Sequence, residues 1–132
     1  VFGKKKQPPI KSLVAYGTRI QGHVLFQEGL RIDGEVLGDI RASDQHPSIL
    51  VVSESASIVG EIHADHVIIN GKVKGPVFAF SLLELQPKAR IEGDIAYKAL
   101  EMHQGAIIAG QLRPMAADVE IKPPLQLEVK SA

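Results

Sequence analysis

Two histidines three residues apart, His63 and His66, hold a spacing that a helix would turn into a pair of metal ligands. In a strand, residues three apart point to opposite faces, so this pair does not converge unless a corner of the chain intervenes. His23, His46 and His103 have no partners that spacing alone assigns. The carboxylates are more suggestive. Asp33 and Glu35, Glu92 and Asp94, and the single Glu61 all sit beside glycines. Pairs at i and i+2 share a strand face, where two carboxyl groups could perform acid–base chemistry on a glycoside. Yet they fall between aliphatic residues that would point inward, so they are expected to face water and solubilise the chain. Gly71-Lys72 lacks both the upstream glycine and the following Ser or Thr of a phosphate loop. The absence of cysteine excludes disulfides, thiolate metal sites and a thiol nucleophile. The expectation is therefore a chain with no catalytic, cofactor-binding or metal-binding residues.

The elements that carry these residues are repetitive. The stretch LRIDGEVLGDI, residues 30 to 40, contains the unit apolar-x-Gly-x-apolar twice, sharing Val36. The unit recurs at Ile20-Gln21-Gly22-His23-Val24, Ile58-Val59-Gly60-Glu61-Ile62, Ile69-Asn70-Gly71-Lys72-Val73, Val73-Lys74-Gly75-Pro76-Val77, Ile91-Glu92-Gly93-Asp94-Ile95 and Ile108-Ala109-Gly110-Gln111-Leu112. Apolar residues recur at every second place, and frequent glycine would cost a helix about 1 kcal/mol each, so the segments are short strands. Good hairpin dipeptides are few: Asn70-Gly71 and Asp33-Gly34. Short strands with a bend every half-dozen residues suit a β-solenoid, in which each face of a coil stacks on the coil below. Glycines 22, 38, 60, 75, 93 and 110 step by 16, 22, 15, 18 and 17 residues, the longest step holding the polar loop Ser43-Asp44-Gln45-His46-Pro47-Ser48. Five to six coils of three faces follow, a rod about 30 Å long at ~4.8 Å per coil. Ile32, Val36 and Ile40 should point into its core.

Composition agrees. The chain of 132 residues is 45% hydrophobic, with 15 basic residues balancing 15 acidic ones, which argues against disorder and against a strongly basic nucleic-acid face. No apolar run approaches the roughly 20 residues of a membrane-spanning helix. Three regions emerge: an arm over residues 1–12 with a charge run and Pro8-Pro9, the solenoid over residues 13–113, and a tail over residues 114–132 with Pro123-Pro124. The arm joins Val1 and Phe2 to Lys4, Lys5 and Lys6. Each lysine contributes roughly 1 kcal/mol near an anionic leaflet, while the apolar pair can insert shallowly. The repeat begins at Leu13, Val14, Tyr16 and Ile20 with no helical cap before it, and it finishes through Ala106, Ile107, Ile108 and Leu112 with no amphipathic helix behind. Uncapped coils expose unpaired backbone groups, which invite another strand.

The segments GLRIDGEVLGDI, ASIVGEIHADHVIINGKVKGPV and ARIEGDIAYKALEMHQGAIIAGQL, together with the apolar-basic arm, resemble bactofilins, the bacterial cytoskeletal proteins. The resemblance covers about residues 13 to 113. It implies an all-β fold, a single three-sided right-handed parallel β-helix, and spontaneous polymerisation into non-polar filaments without nucleotide. It also implies a place on the inner face of the cytoplasmic membrane, with Val1, Phe2, Lys4, Lys5 and Lys6 as the tether, and recruitment of cell-wall or morphogenetic proteins. On this reading the polymer contacts are Leu13, Val14, Tyr16 and Ile20 at the N-terminal end and Ile107, Ile108, Leu112 and Met115 at the other. Family members often carry Phe in the last coil, where this chain has only aliphatic residues and Met. The alternatives are a solenoid acyltransferase, which would show stricter hexapeptide phase, and a monomeric solenoid that binds a partner on one flat face.

Overall fold

The computed structural model describes residues 7–44 and 47–115, and among these every regular element is a β-strand. The arm residues 1–6, the loop residues Gln45 and His46, and residues 116–132 lie outside the described part. The chain winds through six coils. The first contains β1 (Ile10–Val14), β2 (Arg19–Gln21) and β3 (Val24–Phe26), and the second β4 (Gly29–Ile32), β5 (Glu35–Leu37) and β6 (Ile40–Ala42). The third runs through β7 (Ile49–Val52), β8 (Ser57–Val59) and the first half of β9 (Ile62–Ile69). The second half of β9 opens the fourth, followed by β10 (Lys72–Lys74) and the first half of β11 (Val77–Leu85). The rest of β11 leads into β12 (Arg90–Glu92) and β13 (Ile95–Tyr97), and the last coil is β14 (Leu100–Met102), β15 (Ile107–Ala109) and β16 (Leu112–Pro114).

Every strand pairing is parallel and joins neighbouring coils, which gives three ladders and a three-sided solenoid. Register aligns the inward residues in columns. The first ladder stacks Val14, Ile32, Val52, Ile69, Leu85 and Met102. The second stacks Ile20, Val36, Ile58, Val73, Ile91 and Ile108. The third stacks Val24, Ile40, Ile62, Val77, Ile95 and Leu112. The middle four residues of each column are buried. Removing each such side chain from water contributes about 1.5–3 kcal/mol, and β-branched side chains fit the pleat. Ile32, Val36 and Ile40 are all fully buried, one in each column.

The three corners differ, and their chemistry follows from their residues. Between the second and third ladders the glycines 22, 38, 60, 75, 93 and 110 stack. Gly60 has φ of +150°, and a Cβ there would collide with the carbonyl of Gly38 in the coil before it. Only glycine combines that backbone with that approach. Between the first and second ladders, four-residue turns closed by Thr18 N–H to Ala15 O (3.0 Å), Ala56 N–H to Ser53 O (3.0 Å) and Ala89 N–H to Gln86 O (3.0 Å) share the column with tighter corners at Asp33-Gly34 and Asn70-Gly71. Those two dipeptides therefore turn one face into the next rather than making hairpins. The third corner holds the polar loop, whose buried Ser48 is pinned reciprocally to Asp65: Ser48 N–H donates to Asp65 Oδ2 and Asp65 N–H donates to Ser48 Oγ, each at 3.0 Å. In β9 and β11 the strand instead bends through this corner without ending: the inward alternation slips phase at Asp65-His66 in β9, and in β11 three residues, Phe80-Ser81-Leu82, separate the inward Ala79 from Leu83.

Candidate assembly surfaces at the two ends

The inward columns end at both extremes of the rod without a covering layer among the described residues. At the N-terminal end β1, β2 and β3 each pair on one side only, with β4, β5 and β6. At the other end β14, β15 and β16 pair only with β11, β12 and β13. Each end thus presents three strand edges together with the rim of the hydrophobic core.

The eight contact residues suggested by the sequence occupy two kinds of position. Val14 and Ile20 stand in the inward columns; Val14 is buried and Ile20 is packed against the core. Leu13 aligns with Arg31 and faces outward, and Tyr16 sits on the turn after β1; both are exposed, Tyr16 at 79%. At the far end Ile108 and Leu112 are columnar, with Leu112 left 42% exposed because no further coil covers it, whereas its column neighbour Ile95 is 0% exposed. Ile107 aligns with Arg90 and points outward, 54% exposed. Met115 is half-buried, its N–H donating to Tyr97 O at 2.6 Å. Met102, at the open end of the first column and 47% exposed, belongs with Leu112 and was missed because its own strand lies outside the glycine unit of that coil. Leu25 and Ile10 are further exposed aliphatics in the first coil. The proposed tether residues Val1, Phe2, Lys4, Lys5 and Lys6 lie outside the described residues.

Several of the side chains with catalytic potential are engaged in contacts within and between coils. Asp33 and Glu35 straddle a corner, as do Glu92 and Asp94, so neither pair shares a face as the spacing suggested. Arg31 Nε donates to Asp33 Oδ1 at 2.8 Å and Arg19 Nε to Glu35 Oε1 at 3.0 Å. The Ser53 side chain, hydrogen-bonded to Asp33, holds that carboxyl below the usual aspartate range, with Arg31 adding to the effect against partial burial. A corner intervenes between His63 and His66. Both rings point outward, but from different faces: His63 stacks on Phe78 with centroids 4.4 Å apart and lies 2.9 Å from Glu61 Oε1, while His66 stands on the first ladder.

The residue after each corner glycine forms a further column: His23, Asp39, Glu61, Pro76, Asp94 and Gln111. His23 Nδ1 accepts from Asp39 N–H (3.2 Å), Asp39 Oδ1 from Glu61 N–H (2.9 Å) and Asp94 Oδ1 from Gln111 N–H (3.1 Å). Proline at 76 has no N–H to offer and leaves the Glu61 carboxylate for His63. Short corner residues thus bond backbone groups that the strand ladders leave over.

The family described as "Bactofilin: Polymer-forming cytoskeletal" matches residues 12–113. Bactofilin BacO of Myxococcus xanthus (strain DK1622) is 30% identical over 93 residues, which cover 70% of this chain and 71% of that protein. No solved structure matches the chain. Match and architecture coincide over the same residues, a parallel solenoid of about six coils, and the chain belongs to the bactofilin family of cytoskeletal, polymer-forming proteins.

Proposed function

We propose that this protein is a structural subunit that assembles end to end into non-polar filaments, without nucleotide, on the inner face of the cytoplasmic membrane. The observation that supports it most is the pair of open ends, each joining unpaired strand edges to partly exposed column residues. Docking a second solenoid on either end satisfies backbone groups and covers apolar side chains in one step. If like ends meet about a two-fold axis perpendicular to the rod, each contact is isologous and alternating contacts cancel polarity. The same symmetry reverses strand direction across the joint, so the contact ladder is antiparallel although every ladder within the subunit is parallel. A filament with equivalent ends has no treadmilling cycle to drive, and its role is scaffolding for cell-wall or morphogenetic proteins rather than catalysis.

Electron microscopy of the purified chain in nucleotide-free buffer tests assembly. Filaments are expected; discrete particles at every salt and protein concentration would overturn the reading. The arm supplies the tether in this proposal, with three lysines and an apolar pair repeated along the polymer so that weak single contacts add. Co-sedimentation with anionic vesicles should fall sharply when residues 1 to 6 are deleted. Equal pelleting of the two proteins would remove the tether.

A further inference from the structure

Three successive coils bring imidazole and carboxylate groups together on the first ladder. His66 lies in the second half of β9, Glu84 in the second half of β11, Glu101 in β14, and His103 directly after it. Glu84 and Glu101 are register partners, so two carboxylates stand side by side on adjacent parallel strands. Like charges in that position repel unless a cation joins them. His103 Nε2 is 3.8 Å from Glu84 Oε2, and His66 Nε2 is 3.7 Å from Glu84 Oε1. Both separations exceed a hydrogen bond. One ligand atom from each of Glu84, Glu101 and His103 lies within 4.8 Å of the other two.

His66 adds an independent observation. Its Nδ1 is 3.2 Å from Gln7 Oε1, and a carbonyl oxygen only accepts, so Nδ1 carries the hydrogen. In the neutral ring Nε2 then holds a lone pair. That nitrogen is buried, has no hydrogen-bond partner among the described residues and is directed at the Glu84 carboxylate. An acceptor aimed at an acceptor calls for positive charge between them. Gln86 Nε2 donates to Glu84 Oε2 at 3.1 Å and orients the carboxylate, as Gln7 orients the imidazole. Outer groups of this kind commonly hold metal ligands in place.

We propose that Glu84, Glu101 and His103 form a binding site for a divalent transition metal of the zinc type. A cation seated on Glu84 meets Glu101 and His103, while His66 faces the other oxygen of the Glu84 carboxylate from the coil before. One imidazole and two carboxylates, with a fourth position left for water, make a donor set that suits zinc better than calcium or magnesium, which prefer oxygen alone. The site links the last two coils, and it is independent of whether the ends polymerise.

Equilibrium dialysis of the untagged, chelator-stripped full chain against zinc tests this, because it counts ions on filaments and single subunits alike. The expected result is saturable uptake of about one zinc per chain at micromolar free metal. His103→Ala, Glu84→Gln and the exposed-site variant Glu101→Gln should each weaken it at least about tenfold, and Gln86→Ala about tenfold through orientation. His23→Ala, on another face, should bind as the parent does. Circular dichroism confirms that each variant retains its strands, and Glu101→Gln keeps the test decisive if a less exposed substitution unfolds. Absence of saturable uptake, uptake unchanged by the three ligand substitutions, or calcium bound as tightly as zinc would each overturn the site.

Discussion

Asp33 shows what a single side chain contributes at a corner. Its carboxylate receives hydrogen bonds from Ser53 in the next coil and from Arg31 beside it, and Ser55 Oγ donates to its carbonyl at 2.8 Å. Because the folded carboxyl lies below its ordinary value of 3.8, its stabilising contribution is present above that value and is lost as pH falls through the lower folded value. Asp33→Asn should therefore lower the urea midpoint at neutral pH and flatten its decline in acid. A parent and variant with parallel pH profiles would remove Asp33 as a source of the dependence. The sequence reading placed this residue facing outward. It did not show that Ser53, 20 positions away, was its partner, since the coil-to-coil step varies with each inserted loop.

At the level of strands and corners, glycine spacing was the most legible signal, because a backbone that must pass within contact of its neighbour tolerates no side chain. Gly60 and Gly22 share that backbone but not its surroundings. Gly60 abuts the Gly38 carbonyl, whereas a Cβ at Gly22, in the first coil, meets nothing within 4 Å. Gly60→Ala should cost about 3 kcal/mol or more from strain and overpacking together, and Gly22→Ala about 1 kcal/mol from strain alone. Chemical denaturation of the two variants checks the difference, and equal losses would mean that stacking does not restrict the corner. The long strands β9 and β11 were less legible. Their bends carry no glycine or proline, so an eight- and a nine-residue strand each turn a corner that the sequence marks only by two successive non-inward residues in β9 and three in β11. The same slip separates His63 from His66. The histidine and carboxylate cluster was hidden for a related reason: its members lie 18, 17 and 2 residues apart, a coil period rather than a local motif.

For the molecule as a whole, the five to six coils were readable from repeat length, whereas which end residues stand in the inward columns required the register. Leu112 is one that does, and Leu112→Arg places a charge in the rim of the core. Electron microscopy of that variant should show short oligomers or single subunits under conditions where the parent is expected to form filaments. Undiminished long filaments would move the contact elsewhere, Met102 and Ile108 being the next axial residues to substitute.

The open columns have a thermodynamic consequence. In a one-dimensional stack each layer owes its stability to the layers on either side, so the first and last coils of a lone subunit are its weakest and melt first. A neighbour docked at each end turns those coils into interior ones, and the free energy of joining becomes part of the free energy of folding. Heat resistance would then rise with protein concentration. The rod would be most durable where it is most crowded, and the exposed tip of a filament would be the place where it loosens.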